Sequence, residues 1–473
     1  MVRTRSSYQT ASCAVVTRRK LPAVVLAGAC AIAALLAMAT SPVAAQQVGQ
    51  IKYDTYTLPN GLTVVLSEDH STAVVTVNIW YHVGSANERA HHSGFAHLFE
   101  HMMFQGSAHV KKSEHFQLVE RAGGSSNAFT TQDRTVYYET VPSNRLNLGL
   151  WLEADRMRSL AVNQANFENQ RQTVKEERRL RMDNQPYTKA IQDGLTMPFD
   201  SATCFAYAHT VIGDMADLDS AKVEEVQAFF NLYYAPNNAV LMVVGDFDPA
   251  QARQLIQRYY GDIPKANAPA PVTCQSQYGT GARRMEVTDN NANLPLVGFI
   301  YRAPPEGDAD TPALDLLASV LGNGESSRLN RALVREARAA VFAGGGGNSQ
   351  RAAGAAIFYA VNNQGVAAQR VDSLLNAAID GVRSDTVSAA ELIKAKNQYR
   401  SDAIRSRQTT MGVAEALQNA LWLDGSLGEV NEDVVKHLAV TAADLQRVAR
   451  KYLDPTNRIV LIVNPPATRG GSN

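Results

Sequence analysis

The sequence predicts an α+β protein of two homologous domains, each a mostly antiparallel or mixed sheet packed with helices and related by internal duplication. Three observations carry that prediction. The 473 residues are 45% hydrophobic, with 45 Lys+Arg against 45 Asp+Glu, a balance typical of folded globular chains long enough for two or three domains. Paired strand-like runs with turn signals between them precede long helical stretches. Two distant segments also read alike: Tyr233-Tyr234-Ala235-Pro236-Asn237-Asn238 precedes an apolar β-branched run, and so does Tyr452-Leu453-Asp454-Pro455-Thr456-Asn457, the prolines 219 residues apart. A repeat of that length marks two similar domains, not a solenoid.

In chain order, residues 1–45 read as a signal peptide. Five basic groups (Arg3, Arg5, Arg18, Arg19, Lys20) and no acidic ones accompany an apolar run from Leu21 to Met38. Val43 and Ala45 supply small residues for a cleavage site before Gln46. The alternative is an uncleaved anchor, since the run is about long enough to span a bilayer. Thr17-Arg18-Arg19 leaves twin-arginine export open beside the Sec route. No later segment is apolar without interruption for 18 residues, so an exported, periplasmic or secreted protein without stable membrane insertion is expected. The remaining 40 basic groups face 45 acidic ones, and a nucleic-acid partner is disfavoured.

The first domain is expected over residues 46–263. Tyr56 to Leu66 around Pro59-Asn60-Gly61 reads as a hairpin, and Val75 to Tyr81 as a strand followed by a turn and a helical pattern ending near Gly106-Ser107. Pro264-Lys265-Ala266-Asn267-Ala268-Pro269-Ala270-Pro271 opens a linker over 264–282. The second domain, 283–466, repeats the order with the strand-like Leu296 to Tyr301 and a helical pattern ending near Gly322 to Ser326. Residues 467–473 are a tail.

Eight of the ten histidines fall between residues 70 and 115. Among them, His97-Leu98-Phe99-Glu100-His101 places two imidazoles at i and i+4, one turn apart on one helix face, so both can reach a single ion. Glu100 projects from nearly that face and would sit beside the metal as a base. This inverts the His-Glu-x-x-His zinc helix. The other reading is a surface helix that happens to hold two histidines. Phe95, Leu98, Phe99, Met102 and Phe104 weigh against it, because they make the helix largely apolar, and burying unpaired ionisable groups costs on the order of several kcal/mol. A divalent cation would compensate them. A catalytic zinc site keeps three protein ligands and one open position. In the charged helical stretch 167–181, Phe167 and Val174 define an inward stripe; Glu177 stays on it and Glu176 points away.

Gly94-Phe95-Ala96-His97-Leu98-Phe99-Glu100-His101-Met102-Met103-Phe104-Gln105-Gly106-Ser107 resembles the zinc helix of the pitrilysin/insulinase-type metallopeptidases, a family that includes the mitochondrial processing peptidase and bacterial processing-peptidase-like proteins. Glu177 lies 76 residues beyond His101, the family's spacing for its third ligand. Gly123 to Thr130, with Asp133, Thr135 and Tyr137-Tyr138, is similar to the family's substrate-edge strand. The likeness covers residues 50–465. It implies a zinc-dependent endopeptidase hydrolysing extended peptides or small unfolded proteins. One Zn2+ per chain would be held by His97, His101 and Glu177 and would activate a water, with Glu100 as general base. Manganese or cobalt would accept similar ligands. Asn127, Ala128 and Phe129 would bind substrate as an added strand. An ordinary hairpin strand is the other reading there, and edge exposure separates the two.

The second copy lacks His-x-x-Glu-His. The resemblance makes it a degenerate half that encloses substrate and carries an Arg and a Tyr for the partner chain's substrate. Arg328 keeps the first; the Tyr position falls on Val341, or on Phe342 if the alignment slips by one. A dimer is expected, and the missing Tyr predicts that it forms with a related metal-free subunit, a dimer of like chains being the alternative. A non-catalytic scaffold or assembly subunit of the same fold is the rival; the intact set of four residues argues against it. Cys204 and Cys274 either pair in an oxidising compartment or stay as buried thiols. Gly344-Gly345-Gly346-Gly347 reads as a mobile loop, and His209 as a packed structural histidine.

Overall fold

The computed structural model describes residues 48–274, 281–422 and 425–467. The expected signal peptide, part of the expected linker and nearly all of the tail lie outside the described residues. From Gly49 onward the chain forms one unit built on two mixed sheets.

The first sheet contains β1 (Asp54–Thr57), β2 (Thr63–Glu68), β3 (Val74–Tyr81), β4 (Ser125–Thr130), β5 (Thr135–Pro142) and β6 (Ala239–Gly245), in the order β1-β2-β6-β3-β5-β4. The second contains β7 (Arg283–Thr288), β8 (Leu296–Ala303), β9 (Ala340–Ser349), β10 (Gly354–Asn362) and β11 (Arg458–Asn464), in the order β7-β11-β8-β10-β9. Equivalent strands pair in the same sense. β2 runs parallel to β6 as β7 does to β11, and the other ladders are antiparallel. The repeat in sequence is thus a repeat of topology. β4 and β9 are edge strands in equivalent places.

The first half's helices are α1 (Phe95–Met102), α2 (Glu114–Arg121), α3 (Leu146–Ser159), α4 (Gln164–Arg178), α5 (Thr188–Thr196), α6 (Met215–Ser220), α7 (Val223–Tyr233) and α8 (Pro249–Tyr260). Those of the second are α9 (Thr311–Gly322), α10 (Ala368–Ser384), α11 (Ala389–Ser406), α12 (Thr410–Trp422), α13 (Glu429–Ala439) and α14 (Ala442–Tyr452). Among the described residues no helix is long and apolar enough to cross a membrane.

The central strands are apolar on both faces because each sheet has two covers. On β3, Val75, Val77, Ile79 and Tyr81 enter the first half's own core, while Trp80 points the other way. There it meets Ala414, Leu417 and Ala420 of α12, which belongs to the second half. Thr76 Oγ1 and Thr410 Oγ1 lie 2.6 Å apart across this contact, and Gln418 donates to Asn78. The second sheet is covered reciprocally. Leu296 and Ile300 of β8 and Leu461 of β11 pack against Ala190, Ile191 and Leu195 of α5. Each half therefore lends one helix to close the other's sheet.

The four consecutive glycines depart from expectation. They lie within β9, paired from Gly344 with Tyr359 to Gly347 with Ala356. Close approach requires glycine at one of them: a Cβ on Gly345 would sit 2.1 Å from the Ile357 carbonyl oxygen, and one on Gly322 of α9 would sit 2.4 Å from that of Gly345, whereas a Cβ on Gly346 or Gly347 would meet nothing within 4 Å.

Cys204 and Cys274 form a disulfide that ties the segment between the halves to the first half. It closes a loop with a sequence separation of 70 residues. Cys204→Ser is expected to cost about 2–4 kcal/mol. Thermal unfolding of variant and wild type under oxidising conditions checks this; equal midpoints would show that the bridge adds nothing.

Candidate metal centre

α1 forms where Gly94, with φ 87°, turns the chain into a helix whose Phe95, Ala96, Leu98, Phe99 and Met102 are buried. Phe99 anchors it, with ring centroids 5.8 and 5.7 Å from Phe229 and Phe230 of α7 and 4.2 Å from Tyr234. His97, Glu100 and His101 are left on the remaining stripe. α4 starts at Asn163, whose side chain accepts the Asn166 N–H at 3.0 Å, and packs through Phe167 and Val174. One turn beyond Val174, the Glu177 side chain is 17% exposed, whereas that of Glu176 is 57% exposed.

These two helices bring three donors together. His97 Nε2 and His101 Nε2 lie 3.6 and 3.2 Å from the same oxygen, Glu177 Oε2. Donors around a tetrahedral zinc with bonds of about 2.0–2.1 Å stand roughly 3.3 Å apart, so the residues present fit the ion in size and in chemistry. Burial, with the charge of His101 acting the same way, pulls His97 down to about 4 and keeps a ring lone pair available at neutral pH. The His101 hydrogen bond, opposed by burial, holds Glu177 below the usual carboxylate range.

Glu100 is not part of that triangle. Its Oε2 accepts a 2.5 Å hydrogen bond from Thr130 Oγ1, at the end of β4. Burial raises its carboxyl pKa, with the Thr130 bond pulling the other way. Asn127, Ala128 and Phe129 lie on the same edge strand; Asn127 is exposed, and the Ala128 N–H donates to Asn127 Oδ1 at 2.9 Å.

A model of the insulinase family, peptidase family M16, matches residues 63–200, and one described as the peptidase M16 inactive domain matches residues 220–399. The zinc protease PqqE of Helicobacter pylori is 30% identical over 418 residues, covering 88% of this chain and 93% of that protein. The chain belongs to peptidase family M16. A crystal structure of a protease from Helicobacter pylori matches this M16 chain with a TM-score of 0.82 at 30% identity, covering 88% of this chain and 100% of that one. The probable mitochondrial-processing peptidase subunit beta of Arabidopsis thaliana is 25% identical over 435 residues, 86% of this chain and 78% of that protein.

Two further residues of the M16 centre escaped sequence reasoning. Arg181 Nη1 lies 2.9 Å from Glu177 Oε1, on the face of Glu177 turned away from the histidines. The i,i+4 spacing was a usable signal for it. Thr130 is 30 residues from Glu100, and only the packing of α1 on β4 brings the two together.

A second set, His115, Glu139 and Glu153, also has its donor atoms within 4.8 Å of one another and is fully buried. Here a guanidinium already supplies the positive charge. Arg156 bonds Glu153, lies 3.7 Å from Glu139, and stacks 4.4 Å from the Tyr137 ring. Among the described residues, this M16 chain thus holds one carboxylate–histidine cluster without a buried internal cation and one built around such a cation. In the second half Arg328 is committed to Glu391 of α11 by bonds of 2.7 and 3.0 Å, and Val341 and Phe342 are 52% and 46% exposed on β9.

Proposed function

We propose that the protein is a zinc-dependent endopeptidase acting on extended peptides or small unfolded proteins, with His97, His101 and Glu177 as metal ligands and Glu100 as general base. The observation that carries this reading is the convergence of two imidazole nitrogens on one carboxylate oxygen, with Glu100 beside them at the end of an edge strand. A bound Zn2+ supplies Lewis acidity, bringing the pKa of water towards about 7 and polarising a carbonyl. Glu177 contributes the one negative charge of the ligand set. Glu100 takes the proton of the attacking water and hands it to the leaving amine. The residues Asn127, Ala128 and Phe129 align the peptide as a strand added to β4, its carbonyl displacing Asn127 Oδ1 from the Ala128 N–H.

The reading extends to organisation. Residues 46–263 make up the zinc-binding domain and 283–466 the degenerate one. Residues 1–45 direct export to the periplasm, an oxidising compartment that suits the Cys204–Cys274 disulfide. The chain works as a dimer, either of like copies or with a related metal-free subunit; full turnover by the purified chain alone would remove the need for a second kind of subunit.

Metal removal is the direct test. Dialysis against a chelator is expected to abolish cleavage of a quenched fluorescent peptide, and Zn2+ added to one ion per chain is expected to restore it. A metal-free chain that cleaves at the same rate overturns the mechanism. A zinc-loaded chain without turnover on unfolded peptides favours an assembly role.

A further inference from the structure

The turn leading into α1 is held by a carboxylate that the proposed chemistry does not use. Glu88 is buried, and both of its oxygens accept N–H groups at the start of the helix: Oε2 that of Gly94 at 2.9 Å, Oε1 that of Ala96 at 2.7 Å. A helix leaves such donors unpaired, and the side chain at the N-cap commonly takes them. Gly94 occupies that position here and has no side chain to offer. A residue six positions upstream caps α1 in its place.

Glu88 is itself held. His209 Nε2 lies 3.0 Å from Glu88 Oε2, while His209 Nδ1 faces the Phe205 carbonyl oxygen at 2.9 Å. A carbonyl can only accept, so Nδ1 carries a proton. The imidazole also stacks on the Phe205 ring, centroids 4.5 Å apart. The loop bearing His209 closes on the same turn: a Cβ on Gly213 would sit 2.4 Å from the Gly94 backbone, and one on Gly94 would sit 2.7 Å from the Ile212 carbonyl oxygen. Between them Ser93 donates its N–H at 3.0 Å and its hydroxyl at 2.5 Å to Asp217.

We propose that Glu88 and His209 are positioning residues for the metal helix, fixing the first turn of α1 and with it the direction in which His97 presents its ring. The proposal rests on His97, His101 and Glu177 being metal ligands. His97 is the third residue of α1 and sits in the turn that Glu88 caps, whereas His101 is one turn further in. Two ligands at i and i+4 share an ion only while the backbone between them stays regular. A first turn with unpaired donors frays, and fraying moves His97 relative to His101. The negative charge of Glu88 suits the helix N-terminus, and His209 is placed to balance it within the buried site.

The test uses the full chain and reads metal directly. Zn2+ affinity is measured by competition with a chromophoric chelator, the ligand field by the visible absorption of the Co2+-loaded protein, and kcat and KM on one peptide. Glu88→Gln keeps one acceptor for two donors; it is expected to bind Zn2+ about ten- to fiftyfold more weakly, with an altered Co2+ band. Its kcat falls while KM stays within about twofold, because β4 is untouched. His209→Phe preserves the stacking on Phe205 and loses both hydrogen bonds; about a five- to tenfold loss of Zn2+ affinity is expected. Unchanged affinity and an unchanged Co2+ spectrum in a folded variant overturn the positioning role. If Glu88→Gln does not fold, His209→Phe decides by the same readouts. A wild-type chain that binds no Zn2+ overturns the ligand assignment as well, so the two failures are distinguishable.

Discussion

Glu100→Gln is expected to lower kcat by about 10³–10⁴-fold while one Zn2+ per chain stays bound. The size follows from what an amide cannot do. Gln fills the same volume and still offers an oxygen to Thr130 Oγ1, which now donates to Glu100 Oε2 at 2.5 Å, so packing at the end of β4 is retained. The amide has no basic site for the proton that hydrolysis releases. Burial moves the Glu100 carboxyl upward, the direction that makes a carboxylate a better base near neutral pH. Retention of metal follows because Glu100 stands outside the His97–His101–Glu177 triangle. Metal analysis together with steady-state rates on one peptide checks both halves of the statement. Turnover within about tenfold of wild type would take Glu100 out of the proton transfer.

Local periodicity carried much of the fold. The strand β3 and the hairpin around Asn60 were legible, because strand-forming runs and turn chemistry are properties of neighbouring residues. The duplication was legible because a Pro-terminated helix followed by an apolar strand recurs. The reciprocal covering of the sheets was not. β3 is buried on both faces, yet nothing near it in sequence shows that Leu417, more than 300 residues away, covers one of them. The glycine run misled for a related reason. Conformational freedom predicts a loop, but Gly344 and Gly345 let β9 lie against α9 and β10 more closely than a side chain would allow. At the centre, the His pair and the inward position of Glu177 came from helix geometry alone. Glu88 escaped because capping rules look at the residue beside the helix, and this cap reaches across a loop from six positions before Gly94.

The role of Glu177 leads to the second large effect. Glu177→Gln is expected to weaken Zn2+ binding by roughly 10²–10³-fold, since a structural zinc bound at about 10–16 kcal/mol by four ligands draws about 3 kcal/mol from each. The substitution keeps the shape and an oxygen donor and removes only the charge. Without that charge, a dication and two imidazoles share a half-buried site with no anionic ligand, and the cost of holding the dication away from water rises. Arg181, now 2.9 Å from Glu177 Oε1, would add an unpaired positive charge at the same place. Arg181→Ala separates the two contributions. The Arg181 side chain is 77% exposed, so solvent screens its pair with Glu177 and its removal should change Zn2+ affinity by no more than about fivefold. Chelator competition on both variants decides. If Glu177→Gln binds Zn2+ as tightly as wild type, the carboxylate that meets both histidines is no ligand, and the centre must draw its third donor from elsewhere.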